Sequence, residues 1–311
     1  MMRHNTKYIL LASVLSLVAA TACQRDELTP TGNAINYKVS VADIATKGEL
    51  VNNNAAGDYS DIDLATTLSP FRVAAYKGTS PVFTTSGLTP ANVETVSYDG
   101  SWKMPNTYYW PQKTVLTFFA YCNLPASGSS VAASYTGLTL THAMIPEVAA
   151  QKDILLGYYK GYGVNGNTAE IRFWHPLTAV IFREGDLGGE KVKSITLGGL
   201  GKSGSVTMYA DGIFGDWTGV TDYTATSSQS DNAGLAVNPT TKAIGDPFIL
   251  IPQDLSTNDV ELTVVCESGL TLATTIESGE WEEGKTNTYV INFTAGEMLI
   301  DKLELYNNTP L

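Results

Sequence analysis

Cysteine is scarce in this chain, with three in 311 residues. A small secreted scaffold built on disulfides would be far richer, so the fold must rest on a hydrophobic core. Histidine is equally scarce, at three residues, His4, His142 and His175. Neither of the latter two has a carboxylate or cysteine at metal-ligand spacing, so no zinc site is expected. Basic residues are outnumbered, 19 Lys and Arg against 31 Asp and Glu. An acidic surface repels phosphate backbones and excludes nucleic acid as a partner. Also missing are a long amphipathic helical period, a G-x-S-x-G elbow and a Ser/His/Asp arrangement. The expectation is that the protein is not an enzyme and carries no cofactor.

One apolar run is present at the start, and it is short. Residues 8–18 are almost entirely apolar, about half of the roughly twenty residues that a membrane-spanning helix needs. Arg3 and Lys7 precede the run, and Ala19, Ala20, Thr21 and Ala22 follow it. That order is a secretory signal, expected over residues 1–22. Cys23 comes directly after the small residues, an arrangement that resembles the lipobox of bacterial lipoproteins. Ala20 stands where leucine is usual. The resemblance implies acyl chains on Cys23, an outer-membrane, cell-surface location and a lipid-anchored tether over residues 23–34. More than one chain is needed for a stable hold. The cluster Asp26, Glu27 after Gln24 and Arg25 resembles a surface-export signal. Arg3 and Lys7 leave with the signal, so 19 basic residues become 17 against 31 acidic ones. The remaining cysteines, Cys122 and Cys266, sit in apolar runs and are expected as buried thiols.

The dominant pattern in the rest is alternation, the period of strands. Ile35, Tyr37, Val39 and Val41 alternate with Asn36, Lys38 and Ser40. Val260, Leu262, Val264 and Cys266 do the same later, and residues 115–121 form a denser apolar run. Turn-rich stretches lie at 52–57, 126–130, 161–167, 198–204 and 227–234. Residues 147–156 suit one or two helical turns. About a dozen strands exceed one sandwich of roughly 100 residues. The fold class expected is all-β, with two tandem β-sandwiches, 35–166 and 167–311, divided near the Gly161–Gly166 loop.

Two glycine motifs resemble nucleotide loops. Gly161, Gly163 and Gly166 match G-x-G-x-x-G, and residues 199–203 read GLGKS. Strands rather than helices follow both, which removes the helix N-terminus that would hold phosphate. The first is expected to be a hairpin or interdomain turn and the second a β-hairpin, with Lys202 exposed. The aromatic group Tyr108, Tyr109 and Trp110 fits either a packed sheet edge or a sugar-stacking surface.

Several short stretches, taken in order, resemble one family. They are FRVAAY at 71–76, YWP at 109–111, LTFFAY at 116–121, DILLG at 153–157 and FWHP at 173–176 leading into 177–182. ILIPQ at 249–253 and GKTNTYVINF at 284–293 complete the set. Their order and spacing over residues 35–306 resemble the fimbrillins, the Mfa-like and FimA-like subunits of type V pili. The resemblance implies transthyretin-like sandwiches, export as a lipoprotein, and removal of the first strand by an arginine-specific protease. The emptied groove then takes a strand from another fimbrial subunit, which makes other subunits the expected partners. The first strand would be residues 35–44. The run 298–306, with Leu299, Leu303 and Leu305 on one face, is either the donor or simply the last strand of the second sandwich. No arginine lies between Arg25 and Arg72, and Lys47, before Gly48, occupies the expected cleavage place, which leaves open a cut by another protease or no cut at all, with Cys23 as a permanent anchor. Two functions stay open: a fimbrial subunit supporting adhesion to a host or bacterial surface ligand, and a surface glycan-binding lipoprotein using Trp102 and Trp110.

Overall fold

A computed structural model of the chain describes residues 33–41, 68–83, 91–111, 113–163, 168–277, 279–294 and 297–303. The chain begins with β1 (Asn36–Val41), β2 (Phe71–Lys77), β3 (Ser80–Pro81), β4 (Val93–Tyr98), β5 (Trp102–Lys103), β6 (Leu116–Cys122) and β7 (Ser129–Ser134). It continues with β8 (Gly137–Ala143), β9 (Leu155–Gly161), β10 (Thr168–Trp174), β11 (Thr178–Glu184), β12 (Val192–Leu200), β13 (Ser203–Tyr209) and β14 (Ala225–Ser230). It ends with β15 (Phe248–Leu250), β16 (Gln253–Asp254), β17 (Val260–Cys266), β18 (Thr271–Ile276), β19 (Glu280–Trp281), β20 (Thr286–Thr294) and β21 (Glu297–Leu303). Val148–Ala150 is a short 3-10 turn. No helix among the described residues is long and apolar enough to cross a membrane. The fold is all-β, built of several sheets, as the alternation predicts.

The first large sheet runs in the order β1-β10-β9-β6-β2-β4-β5, with β3 attached to β2. Its two end strands, β1 and β5, contact each other, so the sheet curls towards closure. One face gathers Phe71, Val73, Phe118, Ile171, Phe173 and the β1 side chains into a core. The other face carries Tyr76, Phe119, Tyr121 and Leu156. Strand β2 is therefore buried on both sides, which explains why FRVAAY reads as a dense run rather than a clean alternation.

A three-stranded sheet, β13-β8-β7, packs Leu138, Leu140, Val206 and Met208 on that second face. Further on, two four-stranded sheets, β15-β11-β20-β21 and β14-β12-β17-β18, face each other. Phe182, Phe248, Ile195, Leu262, Trp281 and Ile291 fill the space between them. Ala179 and Ile249 point the opposite way and join the cluster of Phe119 and Leu138, so the two halves share an apolar contact.

Strand β10 pairs antiparallel with β9 and parallel with β1, inside the first sheet. Strand β13 likewise pairs along its whole length with β8. The hairpin expected at Gly201 and Lys202 is therefore not formed, because β12 and β13 pair with other strands. The turn there passes the chain from one sheet to another. Gln253 holds it by accepting from the Gly201 N–H at 3.1 Å and donating to the Gly199 carbonyl at 3.3 Å. Gln151 plays a similar part between the halves. Its amide donates to Ile145 O and Ser227 Oγ, both at 2.8 Å, and its oxygen accepts from Ile249 N at 2.7 Å. Buried amides with every partner satisfied fix such crossings.

Candidate assembly site

Strand β1 joins the first sheet from a great distance in sequence. It lies parallel to β10, with Tyr37 opposite Ala169, Val39 opposite Ile171 and Val41 opposite Phe173. Its other side is engaged at the start, where Ile35 N–H donates to Tyr108 O at 2.8 Å and Trp110 N–H donates to Asn33 O at 3.0 Å. Alternation sends Ile35, Tyr37 and Val39 inward, at 7%, 7% and 4% exposure, with Val41 half-buried behind them. Asn36, Lys38 and Ser40 face outward. The strand is thus a plug: main-chain bonds set its register and four side chains fill the core.

The seat is not uniformly apolar. The Tyr37 ring meets Phe71 and Phe118 edge-on, each at 6.2 Å between centroids. Its hydroxyl donates to Met104 Sδ at 3.3 Å. Nearby, the Glu94 side chain is buried and accepts from the Tyr108 hydroxyl at 2.6 Å and from Asn106 Nδ2 at 3.3 Å. Burial, then the Glu94 and Tyr108 groups, push the Tyr37 phenol well above the ordinary tyrosine value. Glu94 escaped the sequence reading. The available signal was its place on the same strand face as Val96, where a charged residue must find donors.

Strand β21 sits at the edge of its sheet, antiparallel to β20, with Met298 opposite Phe293 and Ile300 opposite Ile291. The run that fits a donor strand is therefore seated in its own second sheet. Met298 is buried and Ile300 packs on the core, while Leu299 is 50% exposed. Leu299 points away from the sheet's core, which Met298 and Ile300 fill. Leu303 ends the strand. Leu305, the lipidation residue Cys23 and the cleavage pair Lys47 and Gly48 lie outside the described residues.

The sugar-stacking surface is overturned in its residues. Trp102 and Trp110 are 5% and 4% exposed and belong to the core around Phe71 and Phe118. Trp110 lies against Phe118, and Gly163 passes so close to Trp110 that no Cβ would fit. Gly161 ends β9 and Gly163 follows it, ahead of β10, the antiparallel partner of β9, while Gly166 lies outside the described residues. Cys122 and Cys266 are both buried free thiols. His142 shares a 2.7 Å hydrogen bond with Ser129 Oγ, and burial lowers its pKa to about 4. His175 Nδ1 pairs with Asp153 at 2.8 Å, just before the chain crosses from β10 to β11. Asp216, Trp217, Tyr223, Asp254 and Glu283 line an acidic cleft in the second half.

Known proteins agree with this architecture. A proposed cell adhesion protein from Bacteroides ovatus is 17% identical, with a TM-score of 0.58 over 88% of this chain and 96% of its own. A second proposed cell adhesion protein, from Bacteroides uniformis, is 13% identical, with a TM-score of 0.54 over 88% of this chain and 97% of its own. Both are alike in fold. No curated protein matches the sequence. The family model described as fimbrillin-like matches residues 65–306, which is most of the sequence. The chain belongs to the fimbrillin-like family.

Proposed function

We propose that this protein is a structural or accessory subunit of a cell-surface fimbria, exported as a lipoprotein through Cys23 and joined to its neighbours by strand exchange. The observation that carries this reading is the seat of β1. A parallel strand from the start of the chain lies between β10 and the Tyr108–Trp110 segment, with four side chains in the core. Loss of that strand exposes unpaired backbone groups and an apolar slot, which a strand from a neighbour refills with main-chain bonds and alternating side chains. Each inward side chain contributes about 1.5–3 kcal/mol on burial, so a junction gains roughly 6–12 kcal/mol before ordering costs. In turn the C-terminal run with Leu299, Leu303 and Leu305 serves as donor to the next subunit. A head-to-tail contact of this kind does not close on itself and grows into a fibre.

On this reading the lipid on Cys23 holds the precursor at the outer membrane until a cut at Lys47 and Gly48 frees the slot. The chain then acts by assembly and adhesion, without catalysis. Mass spectrometry of sheared fimbriae tests the scheme. Assembled subunits are expected to begin at Gly48 and to lack β1. Fibres built of subunits that still carry an acylated Cys23 joined to β1 would sink strand exchange at this groove.

A further inference from the structure

The slot left by β1 can be read as a mould. Its four inward positions hold Ile35, Tyr37, Val39 and Val41. The second is shaped for a phenol: two aromatic edges grip the ring and Met104 Sδ takes the hydroxyl. Beside it stands the buried Glu94 carboxyl, whose Oε1 is already engaged by Tyr108 and Asn106. A second carboxyl buried there meets like charge and a lack of water, two effects that act in the same direction.

The tail of this same chain fails that mould. Laying Leu299, Leu303 and Leu305 on three of the four positions puts Asp301 on the remaining one. Run parallel, Asp301 falls at the Tyr37 position, beside Glu94. Run antiparallel, it falls at the Val39 position, which is 4% exposed. The opposite face brings Lys302 and Glu304 behind Met298 and Ile300. No register within residues 297–311 sets four apolar side chains in a row at alternate positions. The tail's best apolar pair, Met298 and Ile300, is also committed to its own core.

Resting on the strand-exchange reading above, we infer that this groove is built for a different subunit: a strand with an aromatic hydroxyl residue between aliphatic ones and no charge on that face. The C-terminal run of a second copy is excluded as donor, so the protein joins mixed fibres and does not polymerise through that run.

The test uses the whole mature chain with Cys23→Ser and an engineered protease site in place of Lys47 and Gly48. After nicking, a dye on the β1 fragment reports its displacement by added peptides. A peptide of residues 33–44 is expected to displace it, and the same peptide with Tyr37→Asp to be about 100-fold weaker. A peptide of residues 297–309 should be as weak. Its Asp301→Leu version should recover at least about tenfold, because four leucines then line the face. If the 33–44 peptide cannot exchange, the strand-exchange reading itself fails. If that peptide exchanges but the 297–309 peptide does so equally well, the groove accepts its own kind and the inference is overturned. Failure of Asp301→Leu to recover displacement overturns the acid as the excluding feature.

Discussion

The two halves of the molecule close their cores in opposite ways. The first half is aromatic. Tyr37, Phe71, Trp102, Trp110, Phe118 and Phe173 meet ring against ring, and the last gap is filled by β1. The partner of β1, strand β10, begins at Thr168, far along the chain. The second half is mainly aliphatic, with Val192, Ile195, Leu197, Leu262 and Val264 around Trp281. Its edge strand β21 folds back on β20, the strand just before it. Forming a distant parallel pair costs more loop entropy than a local antiparallel one. A half completed by a remote segment carries that entropy cost in full. A half completed by its own hairpin is self-sufficient.

Deleting residues 33–41 breaks the comparison most severely. Four inward side chains are lost, worth about 6–12 kcal/mol, on the scale of a whole domain's stability. Hydrogen exchange is expected to lose protection at β10 and the Tyr108–Trp110 segment while β12, β17 and β20 stay protected. Uniform loss across both halves would show that the shared contact around Phe119, Leu138 and Ile249 binds them into one cooperative unit.

The edge strand of the second half gives the next largest effect. Met298→Ala removes a buried side chain and should cost about 3 kcal/mol. Leu299→Ala, on the exposed face, should stay within about 0.5 kcal/mol. Chemical denaturation of the two variants measures the gap. A larger loss for Leu299→Ala would mean that the leucine face is the one packed.

That pair also marks where sequence stops being informative. Both faces of the run carry apolar residues, and period-2 alternation cannot choose between them. Where one face is plainly polar, as in Val260–Cys266, the strand and its inward side follow directly from the residues. Strand partners do not. Nothing local in residues 168–174 says that they pair with β1 and β9 rather than with the strands that follow. Trp102 and Trp110 were ambiguous for a related reason. An aromatic that stacks on a sugar and one that packs a core have the same composition around them, and only tertiary closure separates them. The β1 plug was legible from its alternation, but the polar corner at Glu94 depends on Tyr108 and Asn106 arriving from another segment.

Titration should weaken the halves from opposite ends of the pH scale. In the first, His142 has its pKa lowered by burial to about 4, against 6.5 in the open chain. A base with a depressed value contributes stability above its unfolded pKa and loses it as pH falls through the folded one. Between pH 6.5 and 4 the β7–β8–β13 sheet should lose about 3 kcal/mol. His142→Gln is expected to flatten that slope in thermal melts. An unchanged slope would remove His142 as its source.

In the second half, burial and then the nearby Asp216 push the Glu283 carboxyl up to about 7, against 4.5 in the open chain. The sign is reversed. An acid with a raised value favours the fold fully below the unfolded pKa, and that contribution disappears as pH rises through 7. Glu283 is only half-buried, so water screens much of the effect, and about 1 kcal/mol is expected across pH 4.5–7. Glu283→Gln should therefore raise stability at pH 8 and change little at pH 4. The two substitutions act through separate sheets, so their effects should add. The double variant is expected to have a flatter stability profile at both ends, and strong non-additivity would mean that the halves communicate through their shared apolar contact.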